Sequence, residues 1–118
     1  MKIEKTFTAN IYVGFREGYG DQLHTYNEAE QILQEYCDSI SYCVSMTPIE
    51  FIYNGANEEG IIIGLINYPR FPSAREDIVN KAFAIAEIFL EKFNQNRISI
   101  VCSDKTYLIE NDKNHIKR

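Results

Sequence analysis

The sequence predicts an α+β domain, an antiparallel sheet with two helices on one face, and three observations lead there. A period of two runs from Phe7 to Phe15, an apolar face at helical spacing runs from Ile78 to Phe93, and strand-like and helix-like segments follow one another as strand, helix, strand, strand, helix, strand. The elements are justified below in chain order.

Phe7, Ala9, Ile11, Val13 and Phe15 alternate with Thr6, Thr8, Asn10, Tyr12 and Gly14, the signature of a half-buried strand. Arg16 then falls on the Tyr12 face, and Glu17-Gly18-Tyr19-Gly20-Asp21 reads as a loop, because glycine admits backbone angles closed to other residues. Thr25-Tyr26-Asn27-Glu28 has the form of a capping box, and Ala29, Ile32, Leu33, Tyr36 and Ile40 follow at helical spacing, which predicts a helix from about Tyr26 to Ser39. In the next strand, Val44 to Tyr53, Pro48 interrupts the alternation and marks an edge or a bulge, and the strand ends at Asn54-Gly55. After the small or acidic stretch Ala56 to Gly60, the nearly continuous apolar run Ile61 to Ile66 predicts a central strand covered on both faces. Ser73-Ala74-Arg75-Glu76 supplies a second capping box, and the helix it opens carries Ile78, Ala82, Ile85, Ala86, Phe89 and Phe93 on one face. Ile98 to Cys102 alternates as a further strand, Thr106 to Ile109 forms an optional extra terminal strand, and the polar tail from about Glu110 to Arg118 is expected to fray. This is the ferredoxin-like order, in one domain spanning 1–118.

The 118 residues, 45% apolar and 25% charged, suit one globular core that needs neither disulfides nor a structural metal. Seventeen acidic against 12 basic side chains leave a net charge of -5, which disfavours a nucleic-acid polymer as partner and still permits a small anionic ligand held by a few converging arginines. Cys37, Cys43 and Cys102 are odd in number and form no C-x-x-C pair, so reduced thiols are expected. No apolar run approaches the ~18 residues of a membrane span, and the charged start Met1 to Lys5 leads into no apolar segment, so a cytosolic chain with no membrane partner is expected.

Catalytic constellations are absent from the sequence. His24 and His115 are the only histidines and do not form a ligand or phosphoesterase pair; His24, just before a helix cap, suits a solvent-exposed structural role. No base accompanies a cysteine, and Cys37 and Cys102 fit buried packing. These readings predict no catalytic residue, no metal, no cofactor and no enzyme. Binding is better supported. Arg16 with Tyr12 and Tyr19 beside a glycine loop can hold a phosphate and a flat base, although the loop lacks both the P-loop ending and G-x-G-x-x-G spacing. Arg70 and Phe71, stiffened by Pro69 and Pro72 ahead of a helix start, form either a nucleotide-diphosphate clamp or a hydrophobic staple. Tyrosines at strand ends and turns, Tyr53, Tyr68 and Tyr107 among them, mark interfaces or ligand walls.

Ile11-Tyr12-Val13-Gly14-Phe15-Arg16, the hairpin from Thr47-Pro48 through Glu50 to Gly55, Gly64-Leu65-Ile66-Asn67-Tyr68-Pro69-Arg70-Phe71-Pro72 and Asn96-Arg97-Ile98-Ser99-Ile100 together resemble the phage Thoeris anti-defence 1 family. The resemblance implies a sponge that sequesters signalling nucleotides without cleaving them, glycocyclic ADP-ribose and also the cyclic trinucleotides of CBASS defence at a separate site, in the cytoplasm of an infected bacterial host. It implies that Phe71 stacks on the Thoeris ligand, Asn80 hydrogen-bonds it, and Arg16 and Arg97 meet phosphates. It also implies homo-oligomers, dimers assembling into hexamers. The other readings are a ferredoxin-like regulatory or protein-interaction module anchored by exposed tyrosines, and a phosphodiesterase using Asp and Glu with a divalent metal.

Overall fold

In the computed structural model, which describes residues 1–112, the chain runs β1 (Thr8–Gly14), α1 (Tyr26–Ile40), β2 (Ser45–Tyr53), β3 (Ala56–Ile66), α2 (Arg75–Lys92), β4 (Arg97–Cys102) and β5 (Thr106–Glu110). The strands form one antiparallel sheet in the order β2-β3-β1-β4-β5, so β5 extends the sheet beyond a four-stranded ferredoxin-like arrangement. Glu110 pairs with Arg97, and the Asn111 amide donates to the Asn96 carbonyl; the tail from 113 onward, including His115, lies outside the described residues.

The alternation in β1 settles which face is which. Ala9, Ile11 and Val13 join Ile61, Ile63 and Leu65 of β3 and Ile98, Ile100 and Cys102 of β4 in one buried cluster, which both helices cover through Ala29, Leu33 and the whole apolar face of α2. Ile78, Ala82, Ile85, Ala86, Phe89 and Phe93 are all buried, as their spacing predicts. The opposite face of the sheet carries no helix among the described residues. On it stand Asn10 and Tyr12 of β1, Ile62 of β3, Ser99 and Val101 of β4 and Leu108 of β5, each placed by strand register. This corrects the expectation for Ile61 to Ile66: only one face of that run is covered, and Val101, Leu108 and Tyr53 are exposed.

Two further differences have local causes. β3 begins at Ala56, because the tight Asn54-Gly55 turn, with Gly55 at φ 80, pairs Tyr53 directly with Ala56 and carries the ladder on through Asn57, Glu58 and Glu59. At α2 the cap is Ala74, with no side-chain bond, since Ser73 lies one residue too early and gives its amide to Asn67 Oδ1 at 2.8 Å. At α1 the capping box forms as expected, with the Glu28 amide donating to Thr25 Oγ1 at 3.2 Å. β2 lies at the sheet edge, where Pro48 is tolerated. No described helix is long and apolar enough to cross a membrane.

Candidate functional site

The bare face of the sheet is hollowed where β1 ends. Gly14 and Gly60 face one another across the β1–β3 ladder and form a shelf of backbone on which neighbouring side chains lie. A Cβ on Gly14 would run into the Glu58 carboxylate, and one on Gly60 would meet the Phe51 ring at 2.8 Å, so the two glycines let those side chains lie flat against the sheet. Beside them is a cavity of about 290 Å³ lined by Tyr12, Gly14, Phe51, Tyr53, Glu58, Gln95, Arg97 and Ser99. Its chemistry is mixed: three aromatic walls, one carboxylate and one guanidinium.

The carboxylate is fixed by backbone. The Arg16 amide donates to Glu58 Oε2 at 3.0 Å, and the Arg16 carbonyl accepts from Gln95 Nε2 at 2.7 Å. Gln95 is only 6% exposed and also donates to the Phe93 carbonyl, so the end of α2, the end of β1 and the start of β3 are joined behind the cavity. Glu58 is at the same time a wall of a second hollow of about 240 Å³, shared with Phe15, Arg16, Leu23, His24, Asn57 and Glu59. Arg16 Nε is buried there and has no hydrogen-bond partner among the described residues. The loop beyond is closed by bridging of Arg16 with Leu23, and His24 pins it: Nε2 lies 2.8 Å from Glu17 and Nδ1 2.7 Å from Glu28, while the ring stacks on Phe93 at 4.1 Å. The role of His24 is structural as expected, but its side chain is 10% exposed rather than in solvent.

The residues singled out in the sequence fall into two groups. Tyr12 and Arg97 line the open-face cavity, Arg16 lines the hollow beside it, and Tyr19 stands 76% exposed on the adjoining loop. Arg70, Phe71 and Asn80 belong to the other end of the sheet, where Thr8 pairs with Ile66 and α2 begins; the seven residues of β1 separate the two ends by about 20 Å. Phe71 is 69% exposed with the Arg70 guanidinium 5.2 Å above its ring, so no staple forms. Arg75 donates to Asp104 at 2.7 Å, which holds the Asp104 carboxyl below the usual carboxylate range, and to the Tyr107 hydroxyl at 2.8 Å. Glu58, Gln95 and Phe51 escaped the sequence reading. Glycines within strands at 14 and 60 were the available signal, and only the register turns them into one shelf.

No family model and no curated protein matches the chain. Among solved structures, a phage SAM lyase in complex with S-methyl-5′-thioadenosine superposes with a TM-score of 0.77, at 18% identity over 95% of both chains. The fold is shared with that lyase. A phage SAM lyase in the apo state matches at a TM-score of 0.76, with 19% identity over 90% of each chain. The expectation that the chain is no enzyme is therefore corrected: its fold is an enzymatic one. Histidine, cysteine and metal constellations are not required of every enzyme: a sulfonium carries its own leaving group, because its sulfur departs as a neutral thioether, so chemistry on it needs no strong nucleophile or metal from a protein.

Proposed function

We propose that the open-face cavity takes an adenosine-bearing sulfonium and that the chain cleaves a carbon–sulfur bond in it, as a lyase. What carries this reading is one juxtaposition: the fixed Glu58 carboxylate beside Tyr12 and Phe51, with Arg97 on the same wall, in a fold shared with a SAM lyase. Each side chain answers one part of such a ligand. Glu58 and the aromatic faces attract the sulfonium, Arg97 pairs with the amino-acid carboxylate, and a remaining ring stacks on the purine. When the carbon–sulfur bond breaks its electron pair returns to sulfur and the substrate's own carboxylate oxygen bonds to the carbon released, so the sulfonium and carboxylate charges cancel and a neutral thioether and a lactone leave the site.

The test is direct. Protein incubated with S-adenosylmethionine and then denatured should release S-methyl-5′-thioadenosine on chromatography, and Glu58→Gln, which still accepts from the Arg16 amide, should slow its appearance about tenfold or more at sub-saturating substrate, through weaker capture of the sulfonium. Quantitative recovery of intact S-adenosylmethionine overturns the reading.

A second reading is favoured by the segregation of the candidate residues: Arg16 and Arg97 at one end, Phe71 and Asn80 at the other, the two groups that the resemblance to Thoeris anti-defence 1 proteins associates with separate ligands. On it the chain binds cyclic signalling nucleotides in the cytoplasm of an infected bacterium. Calorimetry should then show Phe71→Ala weakening glycocyclic ADP-ribose roughly tenfold or more while sparing a cyclic trinucleotide, with Arg97→Ala doing the reverse. Equal losses for both ligands in both variants sink it. In either case a second copy of the chain is the natural cover for Tyr53, Val101 and Leu108, and light scattering should find a dimer or hexamer.

A further inference from the structure

At the far end of α1 the chain reverses through Ser41 at φ 53, and the amides of Ser41 and Tyr42 both donate to the Cys37 carbonyl. The reversal returns the backbone to the helix. Val44 and its chain neighbour Cys43 line the same cavity of about 410 Å³ as Cys37, between α1 and the start of β2. Cys43 is exposed, and its Sγ donates to the Tyr68 hydroxyl at 3.7 Å. The remaining thiol, Cys102, is buried at the other side of the sheet in β4.

We propose that Cys37 and Cys43 are a paired modification site that closes to a disulfide by exchange with a small-molecule disulfide of the glutathione type. The order of events follows from exposure. The Cys43 thiolate attacks one sulfur of the oxidised glutathione, the S–S bond breaks, and one glutathione leaves as thiolate. Cys37 passes its proton to the departed glutathione thiolate and then, as a thiolate, attacks the Cys43 sulfur and expels the second glutathione. Two protein thiols are oxidised and one glutathione disulfide is reduced to two thiols, so the step balances. Burial pushes the Cys37 thiol up and disfavours it as the first attacker. The closed ring spans only the helix end, and it removes the Cys43 donor from Tyr68, the residue that opens the β3–α2 connection bearing Arg70 and Phe71.

Folded protein incubated with oxidised glutathione, alkylated and mapped by mass spectrometry should show a Cys37–Cys43 link, with Cys102 alkylated only after unfolding. Cys37→Ser should stop at a stable glutathione adduct on Cys43, and Cys43→Ser should lower glutathione release at least about tenfold, since the half-buried Cys37 thiol alone is slow. The wild-type result needs no substitution and so stands whether or not a variant folds. A wild-type chain that accumulates the glutathione adduct without closing the ring, that reacts first at Cys102, or that does not react at all overturns the proposal, as does a Cys37 in Cys43→Ser that reacts as fast as Cys43 in Cys37→Ser.

Discussion

Helix α2 buries Ile78, Val79, Ala82, Ile85, Ala86 and Phe89 against the sheet, whereas α1, of similar length, buries only Ala29 and Leu33. The two helices cover the same face and do different work. α2 closes the core over β1 and β4 and brings Gln95 behind the candidate site; α1 lies over the β2 side with a cavity along it, from Tyr26 and Glu30 to Cys37, closed from the other side by Val44 and Met46. The comparison teaches that one helix makes the fold while the other, held at its start by the Thr25 cap and His24, leaves room along the side it turns to β2.

The largest expected effect tests the first half of that contrast. Phe89→Ala removes a fully buried ring from the α2 face and should cost about 3–5 kcal/mol in denaturant unfolding, while Leu33→Ala, beside an existing cavity that water can enter, should cost about 2 kcal/mol. Equal losses would break the comparison. Next come the caps, which sharpen it: Thr25→Ala should destabilise by about 1 kcal/mol because its hydroxyl accepts the Glu28 amide, whereas Ser73→Ala should stay within roughly 0.5 kcal/mol because no capping bond exists to lose. A larger loss at Ser73 than at Thr25 would reverse the assignment of which helix start is held by its side chain. The smallest effect is electrostatic and belongs to the α2 start. Asp104 titrates lower when folded than when unfolded, because Arg75 donates to it, so its contribution is whole above the unfolded value and drains away as pH falls through the folded one. The gap between the unfolding midpoints of wild type and Arg75→Ala should therefore narrow as pH drops below about 4, leaving the part due to the Tyr107 bond, and a gap that widens in acid would show that the pair does not act this way.

α2 was legible because its pattern is long and every apolar position is spent on one partner, the sheet. The alternation of β1 and the edge position of β2 were legible for the same reason: one residue, or one proline, decides each. The candidate site was less so. Tyr12 and Arg97 stand out as residue types in an acidic chain, but Glu58 sits in a stretch that reads as an acidic loop, and it becomes a strand residue only because Asn54-Gly55 makes a two-residue turn and locks the register of everything after it. The Gly14–Gly60 shelf needs two ladders to be in phase, information that no local window holds. The missing cap at Ser73 turned on where the helix starts: the cap position falls on Ala74, one residue beyond the hydroxyl, while the Ser73 amide is held by Asn67, six residues earlier.

Glu58 stands as a party wall between the open-face cavity and the hollow that holds the Arg16 side chain. A ligand on the open face that pulls the carboxylate outward withdraws negative charge from the other side and changes what the Arg16 side chain there can attract. Thermodynamic reciprocity then requires a ligand of the inner hollow to alter affinity on the open face by the same factor, so the two spaces are linked without any movement of the sheet.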